Sequence, residues 1–468
     1  MSAEVVGFSF IVLGILLIIG KWIRVATPFL QSFFIPSSII AGLLGLLLGP
    51  EVLGLFGVEV FEGGGLFPAP MIEVWEVLPE LLISIIFASL FIGKKVPNIK
   101  KIWKVAGPQI TFAHFLSWGQ YVIGITLALV VLTPLFGMNP AAGALLEISF
   151  VGGHGTAAGL SGTFSSVGFE EGRDLAIGLA TVGVLTGVFL GILLINWAAR
   201  NGKTEILNSP DDISDEQKKG LIKKEDQQDM SAGNQTTRSE VIETLTVHFA
   251  YIGVAIAIGY VILEGFILIE EALWGENMEL FIHLPLFPLA MVGAVIVQLV
   301  LSKFVKKSIL DRDLITRIQG FALDLLIVSA IATLSLSVLG EYIVPFLLMS
   351  VAAIGWNILA FIFIAPRIMP DYWFERAIGD LGQAMGMSAA GLLLIKLADP
   401  KDESPAKEGF SYKQLMLDLI VGGGIVTAAS VPLIIAFGPV LTLIIAFVIM
   451  TSWLLLGLLY FGKMKSAQ

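Results

Sequence analysis

The sequence predicts an all-α polytopic membrane protein, and composition, hydropathy and loop charge each support this prediction. Of the 468 residues, 56% are hydrophobic and only 14% are charged, whereas about a quarter of the residues of a soluble domain are charged. The mean hydropathy is +0.88. Stretches such as 5–20, 77–93 and 440–461 carry almost no charge, and their lengths are close to the about 20 residues that a helix needs to cross a bilayer.

The charge of the loops between these stretches alternates along the chain. Residues 51–76 and 264–279 carry carboxylates and no lysine or arginine, whereas residues 94–104 and 303–317 are rich in lysine and arginine. Because basic loops stay in the cytoplasm, the basic loops are predicted to be cytoplasmic and the acidic loops to face outside. The N-terminus opens with Glu4 and has no basic cluster. We therefore expect the first apolar stretch to be a retained span rather than a signal peptide.

A polar segment divides the chain near its midpoint. Residues 200–240 contain runs of Asp, Glu, Lys and Gln and almost no hydrophobic cluster, which is typical of a solvated linker. We predict a first transmembrane repeat at 1–199, a cytoplasmic linker at 200–240, a second repeat at 241–436 and an extra C-terminal span at 437–468.

Each predicted repeat contains a short glycine-rich apolar segment before its last span. The first lies at about 138–163 and the second at about 373–397. Each glycine inside a helix costs about 1 kcal/mol relative to alanine, so a continuous helix is improbable there. The first segment has five glycines within eleven residues: Gly152, Gly153, Gly155, Gly159 and Gly162.

The topology favours re-entrant hairpins over single crossings. If 138–163 crossed the membrane once, the linker and the basic loop at 303–317 would lie outside, against the charge rule. With re-entry, the first half starts outside and the second starts inside, so the halves form inverted five-span repeats. The stretch 440–461 then adds an eleventh span. The N-terminus is predicted to lie outside and the C-terminus in the cytoplasm.

The glycine-rich turns are the predicted binding site. Non-helical backbone at membrane depth is tolerated only where it is buried in protein or lines a cavity. The ends of broken helices offer N–H groups to anions and carbonyl groups to cations. Glycines can instead serve close helix packing, but two clusters in corresponding positions favour a site. The turns contain Gly152, Gly153, His154, Gly155 and Thr156 in the first segment and Gly379, Asp380, Gly382, Gly386 and Ser388 in the second.

The run Gly-Gly-His-Gly-Thr at 152–156, the second glycine-rich turn in the matching place and Ile35-Pro36 at the second span resemble the bacterial sodium/glutamate symporters. The resemblance implies sodium-driven uptake of glutamate or a related small carboxylate through the cytoplasmic membrane. It also implies two inverted repeats of five spans, hairpin tips near the membrane midplane and a homodimer. By motif match it carries over residues 152–156 of the first hairpin, and Gly379, Gly382 and Gly386 of the second.

The second turn departs from the family pattern in two places. Ala384 stands where the family usually has glycine, and Asp380 replaces an uncharged or histidine-type residue. Three other carboxylates, like Asp380, lie in apolar stretches of the sequence. These are Glu147, Asp324 and Asp418. Placing a charge at the centre of a membrane helix costs about 2.5–3.5 kcal/mol.

Buried cations to balance these carboxylates are expected to be scarce, because Lys396 and Arg367 lie at segment ends. A surplus of carboxylate favours cation coordination. We therefore expect sodium to bind among hairpin carbonyls and the side chains of Thr156, Asp380 and Asp324, with Ser388 as a further hydroxyl. Asp418 is expected to be solvated at the membrane edge.

Two features have a structural interpretation, which for His154 stands beside a functional one. His154 is expected to be either a neutral structural histidine or a contact to substrate or proton. Gly183, Gly187 and Gly191 form a small-residue ridge of the kind that serves helix packing.

Two other functions share single features with this sequence. Asp324 and Asp380, with Gly379 before the second, faintly resemble the dyad of an intramembrane aspartyl protease, but Ala377 stands where that motif has glycine. An ion channel is disfavoured because hairpins of opposite entry suit alternating access.

Composition excludes several classes of function. No basic, aromatic-rich surface stretch of the kind that binds nucleic acid is present. The absence of cysteine excludes disulfides and thiolate chemistry, and the histidines show no metal-ligand spacing. We expect no enzyme activity and no cofactor beyond Na+ as the coupling ion; the expected partners are the substrate, sodium, the lipid bilayer and a second copy of the chain.

Overall fold

The computed structural model describes residues 2–32, 34–58, 60, 64–94, 99–206, 233–273, 281–304, 309–400 and 402–465. Most of the predicted linker, residues 207–232, lies outside the described residues. Parts of the four charged loops at 51–76, 94–104, 264–279 and 303–317 lie outside them as well.

The described part of the chain is helical and contains no strand. The longer helices are α1 (Ala3–Ala26), α2 (Ser37–Leu48), α3 (Ala69–Ala88), α4 (Ile99–Leu127), α5 (Gly153–Gly159), α6 (Ser161–Ser166), α7 (Gly172–Arg200), α8 (Thr244–Leu273), α9 (Leu286–Phe304), α10 (Arg312–Ala332), α11 (Ile343–Phe363), α12 (Trp373–Ala384), α13 (Ser388–Ala398), α14 (Ala406–Ile420), α15 (Ile425–Phe437) and α16 (Pro439–Leu456). Single turns of α-, 3₁₀- or π-helix lie between several of them.

Among the described residues, nine helices are long and apolar enough to cross a membrane. Two further predicted spans fall short of this description. The helix α2 has only 12 residues, and α3 carries Glu73, Glu76 and Glu80 within its 20 residues. The chain is thus a multi-pass membrane protein; the inverted relation of its halves and the re-entry of the glycine segments stay predictions.

The chain divides into two compact units, and each unit draws on both predicted halves. Unit one comprises Met1–Val96, Ala158–Thr163 and Asp215–Leu336. Its helices pack through small residues, because a missing side chain lets two backbones approach closely. If a Cβ atom were added to Gly45 of α2, as in alanine, it would lie 2.7 Å from Cβ of Ala332 in α10. A Cβ built in the same way on Gly293 of α9 would lie 2.1 Å from the carbonyl oxygen of Ala255 in α8.

Unit two comprises Pro97–Ala157, Phe164–Ser214 and Ser337–Gln468. It therefore contains all of the second glycine segment and the first segment through Ala157. The helix α4 packs within this unit: Cβ atoms built on Gly119 and Gly124 would overlap the Trp356 ring and the Gly143 carbonyl oxygen, respectively. The turns that the sequence marks as a site thus belong to one unit.

Candidate functional site

The second glycine segment folds back on itself. The helices α12 and α13 are joined by Met385–Met387, and a Cβ built on Gly382 would lie 2.9 Å from the Cα of Gly391 in the opposite arm. Glycine is required on this face because any side chain would push the two arms apart. The α12 arm of 12 residues is about 18 Å long, which is shorter than the about 30 Å of a bilayer core.

The first glycine segment breaks at Gly153. A turn of π-helix over Glu147–Val151 leads into the break, and α5 begins on its far side. Gly153 has φ +71°, a left-handed conformation that glycine adopts without the steric cost of a side chain. The Gly-Gly-His-Gly-Thr run therefore interrupts the helix at Gly153.

The two breaks meet inside unit two. A Cβ built on Gly153 would lie 2.3 Å from the carbonyl oxygen of Gly386. The Gln383 side chain donates a hydrogen bond of 3.3 Å from Nε2 to the carbonyl oxygen of Val151. On the other side, the Gln120 side chain donates a hydrogen bond of 2.9 Å to the carbonyl oxygen of Ala384. Carbonyl groups at both breaks are thus held by amide side chains.

A third break lies beside these two and is absent from the sequence prediction. The apolar stretch Ala406–Phe437 is interrupted between α14 and α15, where Gly422 and Gly423 have φ +72° and +99°. A Cβ built on Gly422 would lie 3.3 Å from Cγ1 of Val151 and 3.8 Å from Nε2 of Gln383. The signal was three consecutive glycines, 422–424, inside a span that hydropathy presents as continuous.

His154 offers an unused ring nitrogen at the first break. Its Nε2 lies 2.9 Å from Oγ1 of Thr181, and that hydroxyl donates its single proton to the carbonyl oxygen of Ile177 at 3.0 Å. The hydrogen-bond network therefore assigns Nε2 as the donor to Thr181. In the neutral ring Nδ1 then carries a lone pair, and among the described residues this buried atom has no hydrogen-bond partner.

The hydroxyl of Thr156 also keeps free acceptor capacity. Thr156 is fully buried, and its Oγ1 donates to the carbonyl oxygen of Gly152 at 3.0 Å. A hydroxyl that donates its proton in one hydrogen bond still has two lone pairs that can accept. Gly155 is buried in the same turn of helix, whereas Ser388 is half-buried at the start of α13.

Glu147 is the carboxylate of the first break, and the sequence prediction did not include it among the site residues. Its side chain is 0% exposed. Oε1 accepts hydrogen bonds from the backbone N–H of Gly422 at 2.8 Å and from Oγ1 of Thr427 at 3.0 Å. Oε2 accepts one from Oη of Tyr121 at 2.6 Å. Three neutral donors, one each from α4, the third break and α15, thus converge on one buried carboxylate.

The second buried carboxylate, Asp380, faces a lysine. Nζ of Lys413 lies 3.2 Å from Oδ1 of Asp380, and both side chains are 0% exposed. Arg376, one turn before Asp380, is paired with Asp371 at 2.9 Å and is also buried. The expectation that buried cations are scarce is therefore wrong, because Lys413 and Arg376 are both buried within unit two.

Asp324 and Asp418 occupy other surroundings. Asp324 lies on α10 in unit one, where its side chain is exposed, so it is not one of the residues that unit two brings together. Asp418 is half-buried and accepts a hydrogen bond from Gln414. Its Oδ1 lies 3.8 Å from a Cβ built on Gly422, which places it next to the third break; its solvation at a membrane edge stays a prediction.

The glycine ridge of α7 packs against the second glycine segment. A Cβ built on Gly183 would lie 2.6 Å from the carbonyl oxygen of Met385, and one built on Gly187 would lie 2.8 Å from Cβ of Met385. Gly191 meets Leu394 of α13 in the same way. The ridge serves packing, and its partner is the turn at the second break.

A family model described as sodium/glutamate symporter matches residues 6–373 of the chain. A comparison of the chain with curated proteins found no match. The match includes the first glycine segment and ends at the first residue of α12. It therefore covers less than the resemblance through both repeats that the sequence motifs indicate.

Proposed function

Because the chain belongs to the sodium/glutamate symporter family, we propose that it imports glutamate or a related small carboxylate through the cytoplasmic membrane together with sodium. A member of this family is a membrane symporter and not an enzyme, so the protease interpretation is dropped.

The observation that carries the proposal is the meeting of three broken backbone segments in unit two. Gly153, Gly386 and Gly422 each belong to one break, and each contacts at least one of the others or its neighbouring residues. Irregular backbone at membrane depth supplies N–H groups for an anion and carbonyl groups for a cation. A symporter of a carboxylate with sodium needs both kinds of group.

We assign the substrate to the N–H side of these breaks. The carboxylate of an amino acid would meet N–H groups at the starts of α13 and α15, the longer of the helices that begin at the breaks. The ammonium group needs an acceptor, and Nδ1 of His154 has a lone pair that no described residue engages. Glutamate, which has both charges, fits this combination better than a simple dicarboxylate.

We assign the sodium ion to oxygen ligands near the first break. Thr156 keeps lone pairs on Oγ1, and Glu147 supplies a negative charge whose hydrogen-bond donors among the described residues are neutral. Sodium would be held by these side chains and by backbone carbonyl groups. Asp380 is excluded from this assignment because it faces Lys413. Asp324 is not part of it, because the assignment is confined to residues of unit two.

The same proposal covers assembly and movement. We propose two inverted repeats with re-entrant glycine segments, an N-terminus outside, a cytoplasmic C-terminus and a homodimer. The unit that contains the three breaks would move relative to the other unit during alternating access. The division supports this scheme, because each unit draws on both halves of the chain.

Uptake and counterflow in proteoliposomes test the function. Purified protein is expected to accumulate glutamate when a sodium gradient is directed inwards, and to exchange it in counterflow. A panel of amino acids and carboxylates lacking the ammonium group separates the substrate classes. A preference for glutarate over glutamate would contradict the assigned role of His154, and uptake that is independent of sodium would contradict symport.

The proposed orientation predicts which loops a reagent reaches from outside. In this naturally cysteine-free chain, a single cysteine at Glu271 should react with an impermeant thiol reagent in intact cells. A cysteine at Lys100 should react only after the membrane is opened, because that loop is predicted to be cytoplasmic. Labelling of both positions from the same side would refute the topology.

A further inference from the structure

The ion pair between Lys413 and Asp380 has no access to solvent in unit two. Both side chains are 0% exposed, and Nζ lies 3.2 Å from Oδ1 of Asp380. Nζ also lies 4.1 Å from the ring centroid of Phe410 and 3.1 Å from Oε1 of Gln414. The ammonium group is therefore enclosed by one carboxylate, one amide oxygen and one aromatic face, which are all favourable partners for a cation.

The pair joins two of the three broken segments. Asp380 lies on α12, six residues before Gly386 at the second break. Lys413 lies on α14, which ends at the third break. Removing one member of a buried pair leaves an uncompensated charge, which is much more destabilising than replacing both members by neutral groups. The two segments are thus held together by a charge balance that needs no external ion.

This arrangement changes the role of a carboxylate that the sequence marks as a sodium ligand. A carboxylate at membrane depth requires a proton, a metal cation or a cationic side chain nearby. For Asp380 the cationic side chain is part of the protein. Arg376, the buried cation of α12 itself, has Asp371 as its ion-pair partner, so Asp371 and Asp380 each have a cationic side chain of the protein beside them.

We propose that Lys413 is the permanent counter-ion of Asp380 and occupies the position beside this carboxylate that a coupling cation would otherwise take, so that Asp380 binds no sodium ion during transport. The inference rests on the proposed function, because it concerns which carboxylates take part in sodium coupling. Removing the ammonium group while keeping the carboxylate should then create an additional requirement for a cation.

Sodium-dependent uptake in proteoliposomes tests this with four proteins: wild type, Lys413→Met, Asp380→Asn and the double variant. In the double variant the half-saturating sodium concentration should stay within about twofold of wild type, because neither partner is left charged. In Lys413→Met it should rise at least about fivefold, with a steeper sodium dependence. Both single variants should give a lower folded yield than the double variant.

A matched control is the exposed pair Lys407–Asp402, whose atoms are 2.7 Å apart with side chains 53% and 38% exposed. Replacing both of its members should leave sodium dependence and yield unchanged, because an exposed pair contributes little. If the Lys413→Met/Asp380→Asn protein does not fold, Asp380→Glu with Lys413→Arg keeps both charges. Its sodium dependence should equal that of wild type.

A double variant that needs more than about tenfold more sodium, or a charge-retaining variant with the same defect, would make Asp380 a sodium ligand and overturn the inference. This result differs from failure of the proposed function. If wild-type protein itself shows no sodium-stimulated uptake, the proposed symport fails, and the inference fails with it.

Discussion

Alanine at Gly153 is expected to lower the maximal rate of uptake about a hundredfold. The added Cβ would lie 2.3 Å from the carbonyl oxygen of Gly386, so one of the two breaks must shift by about an ångström. A displacement of that size at a binding site costs about a hundredfold in rate. Initial rates of glutamate uptake in proteoliposomes, normalised to the amount of folded protein, measure the effect.

Gly168 supplies the matched control for this experiment. It has φ +70°, almost the same as the +71° of Gly153, but a Cβ built on it meets no atom within 4 Å. Alanine at either position bears the same left-handed strain of about 1–2 kcal/mol, so only the contact with Gly386 distinguishes them. Gly168→Ala should transport at close to the wild-type rate. Equal rates in the two variants would mean that the contact between the breaks has no part in transport.

Gly187 would not serve as a packing control, although its i+4 spacing from Gly183 is typical of a helix ridge. A Cβ on Gly187 would lie 2.8 Å from Cβ of Met385, which is part of the turn at the second break. Substitution there would disturb that turn as well as helix packing. The tertiary partner of a glycine thus decides what its substitution tests, and the spacing alone does not give that partner.

The first two breaks could be predicted from the sequence because their signal is local. Glycines at 152–155 and 379–386 each weaken a continuous helix by about 1 kcal/mol. The breaks lie at Gly153 and at Met385–Met387, whereas Gly379, Asp380 and Gly382 lie inside α12 rather than in the predicted turn. The third break at 422–424 was missed although it has three consecutive glycines. The apolar residues on both sides give one hydropathy maximum over Ala406–Phe437, and a window that averages hydropathy does not detect a change of backbone direction.

The partners of the buried charges could not be predicted, because they are distant in the sequence. Lys413 lies in a polar stretch of α14 that resembles a loop, and its carboxylate partner is in another helix. Glu147 receives two of its three donors from Gly422 and Thr427, which are 275 and 280 residues away. Composition shows that charges are rare, but only the packing of the helices shows which charges are paired.

Glutamine at Glu147 is expected to raise the half-saturating sodium concentration at least about tenfold, with little loss of folded protein. The amide can keep its oxygen toward Gly422 and Thr427 and donate from its nitrogen to Oη of Tyr121, so the shape and the hydrogen bonds persist. What disappears is the negative charge. A tenfold shift corresponds to a loss of about 1.4 kcal/mol of cation-binding free energy.

Two comparisons make this result specific to the cation. Asp399 is also fully buried. It accepts three hydrogen bonds from neutral donors, namely the backbone N–H groups of Glu403 and Ser404 and Oγ of Ser404. It follows the last residue of α13 and belongs to none of the three breaks. Asp399→Asn should leave the half-saturating sodium concentration unchanged. Glu147→Ala should instead lower folded yield, because each buried donor left without a partner costs about 1–3 kcal/mol. Wild-type sodium dependence in Glu147→Gln would show that this carboxylate is not part of the sodium site and only holds the third break through its hydrogen bonds to Gly422 and Thr427.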